Sequence, residues 1–168
     1  PTLKIYDPQH PEESEDLQWF YVCLRRFMIA AAGKVLTPGV QAPALTFIGK
    51  QGTGKSTVAR HMCFLPGGFV EGSFDPDRAD HLRLLTSRLI WELSELDGIT
   101  RKKDAASLKA ALTMAAVTDR QPYARFNVTR PVVASFIATG NVSAGLLTDP
   151  TGSRRFLVAK IKHIDLGY

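Results

Sequence analysis

One stretch constrains this chain more than any other: Gly49-Lys50-Gln51-Gly52-Thr53-Gly54-Lys55-Ser56. Its pattern is a glycine, four residues, then Gly-Lys-Ser. Ala44–Ile48 before it is a short apolar run that reads as a buried strand, and the residues from Lys55 to about Cys63 read as a helix. A strand, a glycine-rich turn and a helix in that order make a cradle for anions. Gly49, Gly52 and Gly54 allow positive φ and let backbone N–H groups approach phosphate oxygens. The following helix points its N-terminal dipole at the same anion. Lys55 brings a charge to the β and γ oxygens, and the Ser56 hydroxyl suits a Mg²⁺ that keeps most of its waters. Gln51, Thr53 and Thr57 belong to the same cradle. The chain is therefore expected to bind a nucleoside triphosphate, ATP, together with Mg²⁺.

The rest of the chain fits a frame for such a loop. Residues 1–15 are Pro-rich and acidic and read as an extended lead-in. Asp16 is placed to cap a helix over 17–32, where Leu17, Phe20, Leu24, Phe27 and Met28 recur at helical spacing. Residues 33–43 read as a loop, so residues 1–42 form a lead-in and helix, and 43–168 an ATPase core. A short helix begins at Asp77 or Asp80 and runs through Leu85. Further strands are expected at 88–93, 126–128, 132–139 and 156–161, with a Thr100-capped helix over 101–116 between them. The segment 118–135 has a second reading as a β-hairpin, which Pro122 and Pro131 would confine to an edge or a projection. Alternating helices and short buried strands argue for an α/β sandwich around a mainly parallel sheet, the P-loop NTPase class.

Three further elements carry chemistry. The apolar strand Leu89-Ile90-Trp91 ends in Glu92 and Glu95, where a carboxylate is placed to reach Mg²⁺ or orient an attacking water. Either one has an alternative reading as a surface ion-pair residue. A second apolar strand ends in Thr139-Gly140-Asn141; the Asn141 amide is a candidate for the γ-phosphate or the lytic water, although Gly-Asn is also an ordinary turn. Arg154 and Arg155 follow the turn Asp149–Ser153. They suit a transferring phosphoryl group, or else form a surface pair, or a bridge to Asp149.

Charge is divided unevenly. Residues 1–100 hold 10 Lys/Arg and 12 Asp/Glu, a net of −2; residues 101–168 hold 11 and 4, a net of +7. A basic half suits a polyanion, with a solvated basic face as the alternative. Cys23 and Cys63 lie in apolar helical patterns and read as buried reduced thiols. No apolar run reaches the ~20 residues of a membrane span, and no signal peptide is visible, which points to the cytoplasm. The absence of an initial Met suggests a piece of a longer protein.

Together these stretches resemble the virulence-associated protein E-like family: GKQGTGKST (49–57), LIWELSELDGITRKKDAASLKAAL (89–112), DRQPYAR (119–125), FIATGN (136–141) and LLTDPTGSRRF (146–156). The resemblance spans roughly 43–161, with the blocks in family order. It implies a helicase-type ATPase of phages and mobile elements, akin to superfamily 3 helicases within the AAA+ group. It implies that Glu92 and Glu95 form the acidic Walker B element, that Glu92 shares the metal with Ser56, and that Asn141 is sensor 1. Arg154 and Arg155 become arginine-finger candidates acting across a subunit interface, in a homo-oligomer expected to be a hexameric ring. Lys109, Arg120, Tyr123 and Arg125 fall in the region that shapes a DNA-facing hairpin in related helicases. Asp119 directly precedes Arg120, a closer spacing than the family's usual one, which leaves its role open. Two other readings compete with a DNA motor: an ATPase that remodels a protein partner, and a monomeric P-loop kinase of small molecules. The kinase should show a lid with several arginines between sheet elements, whereas these arginines share one late turn.

Overall fold

The computed structural model describes residues 11–94, 102–120, 125–141 and 155–162. Within them the elements run α1 (Pro11–Leu36), β1 (Ala44–Ile48), α2 (Lys55–His61), β2 (Phe69–Glu71), α3 (Ala79–Leu85), β3 (Ile90–Leu93), α4 (Lys102–Thr113), β4 (Ala116–Asp119), β5 (Val128–Pro131), β6 (Ser135–Gly140) and β7 (Phe156–Lys160). Five strands form a sheet in the order β2-β3-β6-β1-β7, every neighbouring pair parallel. Strands β4 and β5 form a separate antiparallel pair, with Ala116 opposite Pro131 and Asp119 opposite Val128. The chain is thus a mixed α/β protein with a mainly parallel central sheet.

Parallel strands need both faces covered, and their sequences read as continuous apolar runs rather than alternations. β1 (ALTFI) and β6 (SFIATG) are buried throughout. On one face Leu45, Phe47, Ile90, Ile137 and Leu157 pack with Phe20, Cys23 and Phe27 of α1 and Ala59 of α2. On the other, Trp91 and Phe136 stack at 6.1 Å and pack with Leu85 of α3 and Leu108 and Leu112 of α4. A Phe27→Ala change would cost about 3–5 kcal/mol, the usual loss for a buried aromatic ring.

Several expectations need correction. Helix α1 begins at Pro11, not after Asp16. Proline suits the first helical position because its missing N–H has no intrahelical partner there, and an acidic first turn suits the positive end of the dipole. At its other end α1 runs on to Leu36, four residues past the expected stop. Helix α4 ends at Thr113, and Ala116 already pairs as strand; Val117 is buried in the core, so packing overrides the helical propensity of the Ala-rich run. The strand pieces expected at 126–128 and 132–139 lie instead at 128–131 and 135–140, and 116–131 takes the hairpin reading. Strand β2 went unanticipated because three residues beside Gly67 and Gly68 carry no periodicity. Cys63 is half-buried and lies past the end of α2, whereas Cys23 is fully buried and its thiol pKa is raised by burial. The expected cap at Thr100 and the residues 95–101 lie outside the described residues.

Candidate nucleotide site

The glycine loop leaves the carboxyl end of β1, which is flanked by β6 and β7. At that level Ile48 aligns with Gly140 of β6 and Lys160 of β7. The Gly49 N–H donates to the Gly140 carbonyl (3.2 Å), and the Ile161 N–H donates to the Ile48 carbonyl (2.7 Å). A side chain at 49 would collide with the Ile161 carbonyl oxygen, so only glycine passes between the strands. Gly52 (φ 79°) and Gly54 (φ 84°) take left-handed conformations that side chains resist. Gly54 caps α2, and the Val58 N–H donates back to its carbonyl (3.0 Å).

Lys55 is buried with its ammonium inside the loop. It donates to the carbonyls of Gly49 (2.8 Å) and Lys50 (2.6 Å) and lies 3.4 Å from Thr53 Oγ1, which itself donates to the Lys50 carbonyl. The charge is held at the mouth of the cradle by oxygens of the loop it serves. Gln51, Gly52 and Ser56 are exposed around it, and Thr57 is half-buried.

Among the described residues Glu92 is the other buried charge at this end of the sheet, 0% exposed in the third position of β3. Its alternation puts it on the face that α2 covers, and α2 packs against both β3 and β6. Oε1 accepts a hydrogen bond from Thr139 Oγ1 at 3.1 Å, while Oε2 has no hydrogen-bond partner. A buried carboxylate oxygen without a partner is costly unless a cation or water meets it. Thr139 is the site residue that sequence reasoning missed; its signal was a hydroxyl inside an otherwise apolar central strand. Asn141 is exposed immediately beyond β6, next to the Gly140–Gly49 contact.

The folding brings Lys55, Glu92 and Asn141 to one end of adjacent strands and separates the other candidates from them. Arg155 precedes Phe156, which aligns with Ala44 at the amino end of β1. The six residues from Arg155 to Ile161 span roughly 20 Å of strand, beyond the reach of an arginine to its own loop. It lines a cleft of about 360 Å³ with Gln41, Leu112 and Thr113. Glu95, Tyr123 and Arg154 lie outside the described residues.

Arg120 and Arg125 are exposed on the β4–β5 side of the molecule, and Phe126 beside them is 79% exposed. Lys109 is half-buried on α4. Asp119 is tied to α3: Arg83 Nε donates to its Oδ2 at 2.6 Å, and Arg83 also bridges Asp80 (2.9 Å). That pair fastens the hairpin to the body and raises the Arg83 pKa, chiefly through the Asp119 hydrogen bond. Among the described residues no three His, Cys, Asp or Glu side chains group to hold a metal.

The model of the virulence-associated protein E-like domain matches residues 13–167. Among solved structures, the A-form apo structure of the NrS-1 C-terminal region is similar in fold, with a TM-score of 0.51 and 20% identity. The match covers 75% of this chain and 31% of that one, so the chain spans about a third of the matched structure's length. No curated protein matches. Among the described residues no helix is long and apolar enough to cross a membrane.

Proposed function

This chain belongs to the virulence-associated protein E-like family, and on that premise we propose that it is an ATP-hydrolysing, helicase-type motor domain acting on DNA in the replication of a phage or mobile element. The observation that carries this reading is the pairing of two buried, opposite charges at one end of the sheet: Lys55 inside its glycine loop, and Glu92 with an oxygen unbonded. The strand order supports it as well. Ligands of open parallel sheets bind beyond the carboxyl ends of the strands, where the chain reverses its direction of winding. Here the connection leaving β1 runs toward β2, whereas that leaving its neighbour β6 runs the other way to β7, so adjacent strands send their connections in opposite directions beside the loop.

The residues divide the work. Backbone N–H groups of Gly52–Ser56 and the Lys55 ammonium hold the β and γ phosphates of ATP. Ser56 and Glu92 would hold Mg²⁺. When bound, the ion neutralises charge on the phosphate oxygens. Glu92 or Glu95 orients the attacking water and takes its proton, and Asn141 fixes the γ-phosphate end. Thr139 holds the Glu92 carboxylate in one rotamer and leaves its second oxygen for the site. Arg154 or Arg155 acts on a neighbouring subunit's ATP in a ring, because Arg155 stands at the far end of its own strand. On the DNA side, Arg120 and Arg125 supply phosphate contacts and Phe126 a face on which a base can stack.

The decisive measurement is ATP hydrolysis with and without single-stranded DNA. Stimulation by DNA, abolished in Lys55→Ala, supports the motor. Hydrolysis indifferent to DNA favours a partner-remodelling ATPase, and transfer of phosphate to an alcohol acceptor favours a kinase.

A further inference from the structure

Helix α1 is apolar on two opposite sides. Phe20, Cys23 and Phe27 face the sheet. On the far side Tyr21, Val22, Met28, Ile29, Val35 and Leu36 are exposed, in adjacent pairs seven residues apart. That spacing keeps the pairs on one side of a helix, as in a seam built for another chain. Along its flank, Met28, Ala32 and Val35 face Phe64, Leu65 and Leu89 across a groove of about 290 Å³ lined only by apolar residues and Cys63. Phe64 is 80% exposed on the groove's wall. An apolar groove of this kind marks an interaction site.

The charges say what fits. Near the groove, exposed Arg25 lies one helical turn before Met28 on α1, and Arg88, whose guanidinium donates to the Gly67 carbonyl (2.7 Å), precedes Leu89 on the opposite wall. From Leu24 to Leu36 the helix holds Arg25, Arg26 and Lys34 and no acid. Its first six residues, 11–16, hold Glu12, Glu13, Glu15 and Asp16 and no base. Glu15 and Asp16 are exposed, followed by Trp19 and Tyr21, both about half exposed. One end of the helix is acidic and aromatic; the other is basic with an apolar groove.

These two surfaces lie toward different sides of the sheet. The Trp19 indole donates to the Val158 carbonyl of the edge strand β7 (2.7 Å). At the other end, Lys34 donates to the Ala134 carbonyl ahead of β6 (2.7 Å), and the groove reaches Leu89 and Ile90 of β3. Complementary but different patches on separate parts of one chain make a head-to-tail contact that propagates from copy to copy, whereas a two-fold dimer needs one self-complementary patch. We propose that a second copy of this chain seats the acidic, aromatic end of its α1 in this groove. Aromatic side chains in desolvated pockets are the usual anchors of such contacts. The contact gives a surface to the oligomer of the motor reading, on which it rests only for its purpose.

Sedimentation velocity over a concentration series, without nucleotide, tests it. The chain should associate reversibly. Phe64→Ser should weaken association about tenfold, the effect of removing one apolar anchor. Arg25→Glu and Glu15→Lys should each weaken it several-fold, and the double variant Arg25→Glu/Glu15→Lys should recover most of that deficit. All these positions are exposed, and circular dichroism checks that each variant folds. A monomer at every concentration overturns the proposal, as does an oligomer indifferent to the three changes or a double variant no better than the singles. A monomer that hydrolyses ATP on DNA overturns this contact, and with it the arginine supplied in trans, and leaves the DNA-stimulated ATPase reading intact. Groove-dependent association in a chain without hydrolysis does the reverse.

Discussion

The two ends of the central sheet each bury a lysine, and they bury it differently. At the carboxyl end, Lys55 sits in a glycine loop among three oxygen acceptors, on the sheet face that also holds the unbonded Glu92 Oε2. At the amino end, Lys34 is 2% exposed, donates to the Ala134 carbonyl, and its pKa is lowered to about 8 by burial. On the proposed reading, the first arrangement keeps a charge for a phosphate. The second uses a charge to join α1 to the start of β6. A buried cation is therefore no mark of a site by itself; what distinguishes the carboxyl end is a loop with left-handed Gly52 and Gly54 and an unbonded carboxylate oxygen on the same sheet face.

The sharpest way to break that distinction is to remove the charges at the carboxyl end. Lys55→Ala should reduce hydrolysis to background and weaken ATP binding, and unchanged hydrolysis would remove the loop from the site. Glu92→Gln should lower turnover by about 10²–10³, the scale of one missing transition-state hydrogen bond, while ATP stays bound. The same change should raise the melting temperature, because it removes a charge from a buried site built for a ligand. A variant that melts lower yet turns over normally would make Glu92 a structural partner of Thr139.

Arginine supply from a neighbour comes next. Mixing a Lys55→Ala chain with an Arg154→Ala/Arg155→Ala chain should restore part of the hydrolysis, since each lacks only what the other provides. An arginine given in trans is worth ~10³–10⁵ in rate in other phosphoryl-transfer systems, though a mixed ring recovers only a fraction. A mixture that co-assembles and stays inactive would return Arg155 to its own cleft.

The amino end should respond to pH instead. The folded Lys34 pKa of about 8 lies below its ordinary value of 10.5. Below pH 8 both folded and unfolded chains carry the proton, and the cost of burying the charge is present in full. Between pH 8 and 10.5 the unfolded chain alone keeps it, so this residue makes stability rise with pH by at most about 3 kcal/mol. Chemical denaturation of the native chain against Lys34→Met across that window should show a difference that shrinks in the variant. Hydrolysis at pH 7 should be nearly equal in the two.

The smallest effect belongs to the hairpin. Arg120→Ala/Arg125→Ala should flatten the salt dependence of DNA binding, with ATP binding intact. The slope should fall by about one for each phosphate that an arginine no longer neutralises. Abolished hydrolysis with unaltered DNA binding would move these arginines to the nucleotide site.

What the sequence determined by itself is local. The loop's glycines, the apolar runs of β1, β3 and β6 and the helical spacing of α1 follow from short-range rules: which residues accept positive φ, and which periods present one face to a core. The order of chemical elements along the chain was legible for the same reason. The tertiary structure decided what depends on distant partners. It set the strand order that brings Glu92 and Thr139, 47 residues apart, into one hydrogen bond beside the loop. It tied Asp119 to Arg83, pulled Ala116 out of a helical run into a strand opposite Pro131, and put Arg155 at the far end of the sheet from Gly49. Such outcomes rest on contacts between residues far apart in the chain, whose stabilisation outweighs local preferences of a few tenths of a kcal/mol per residue.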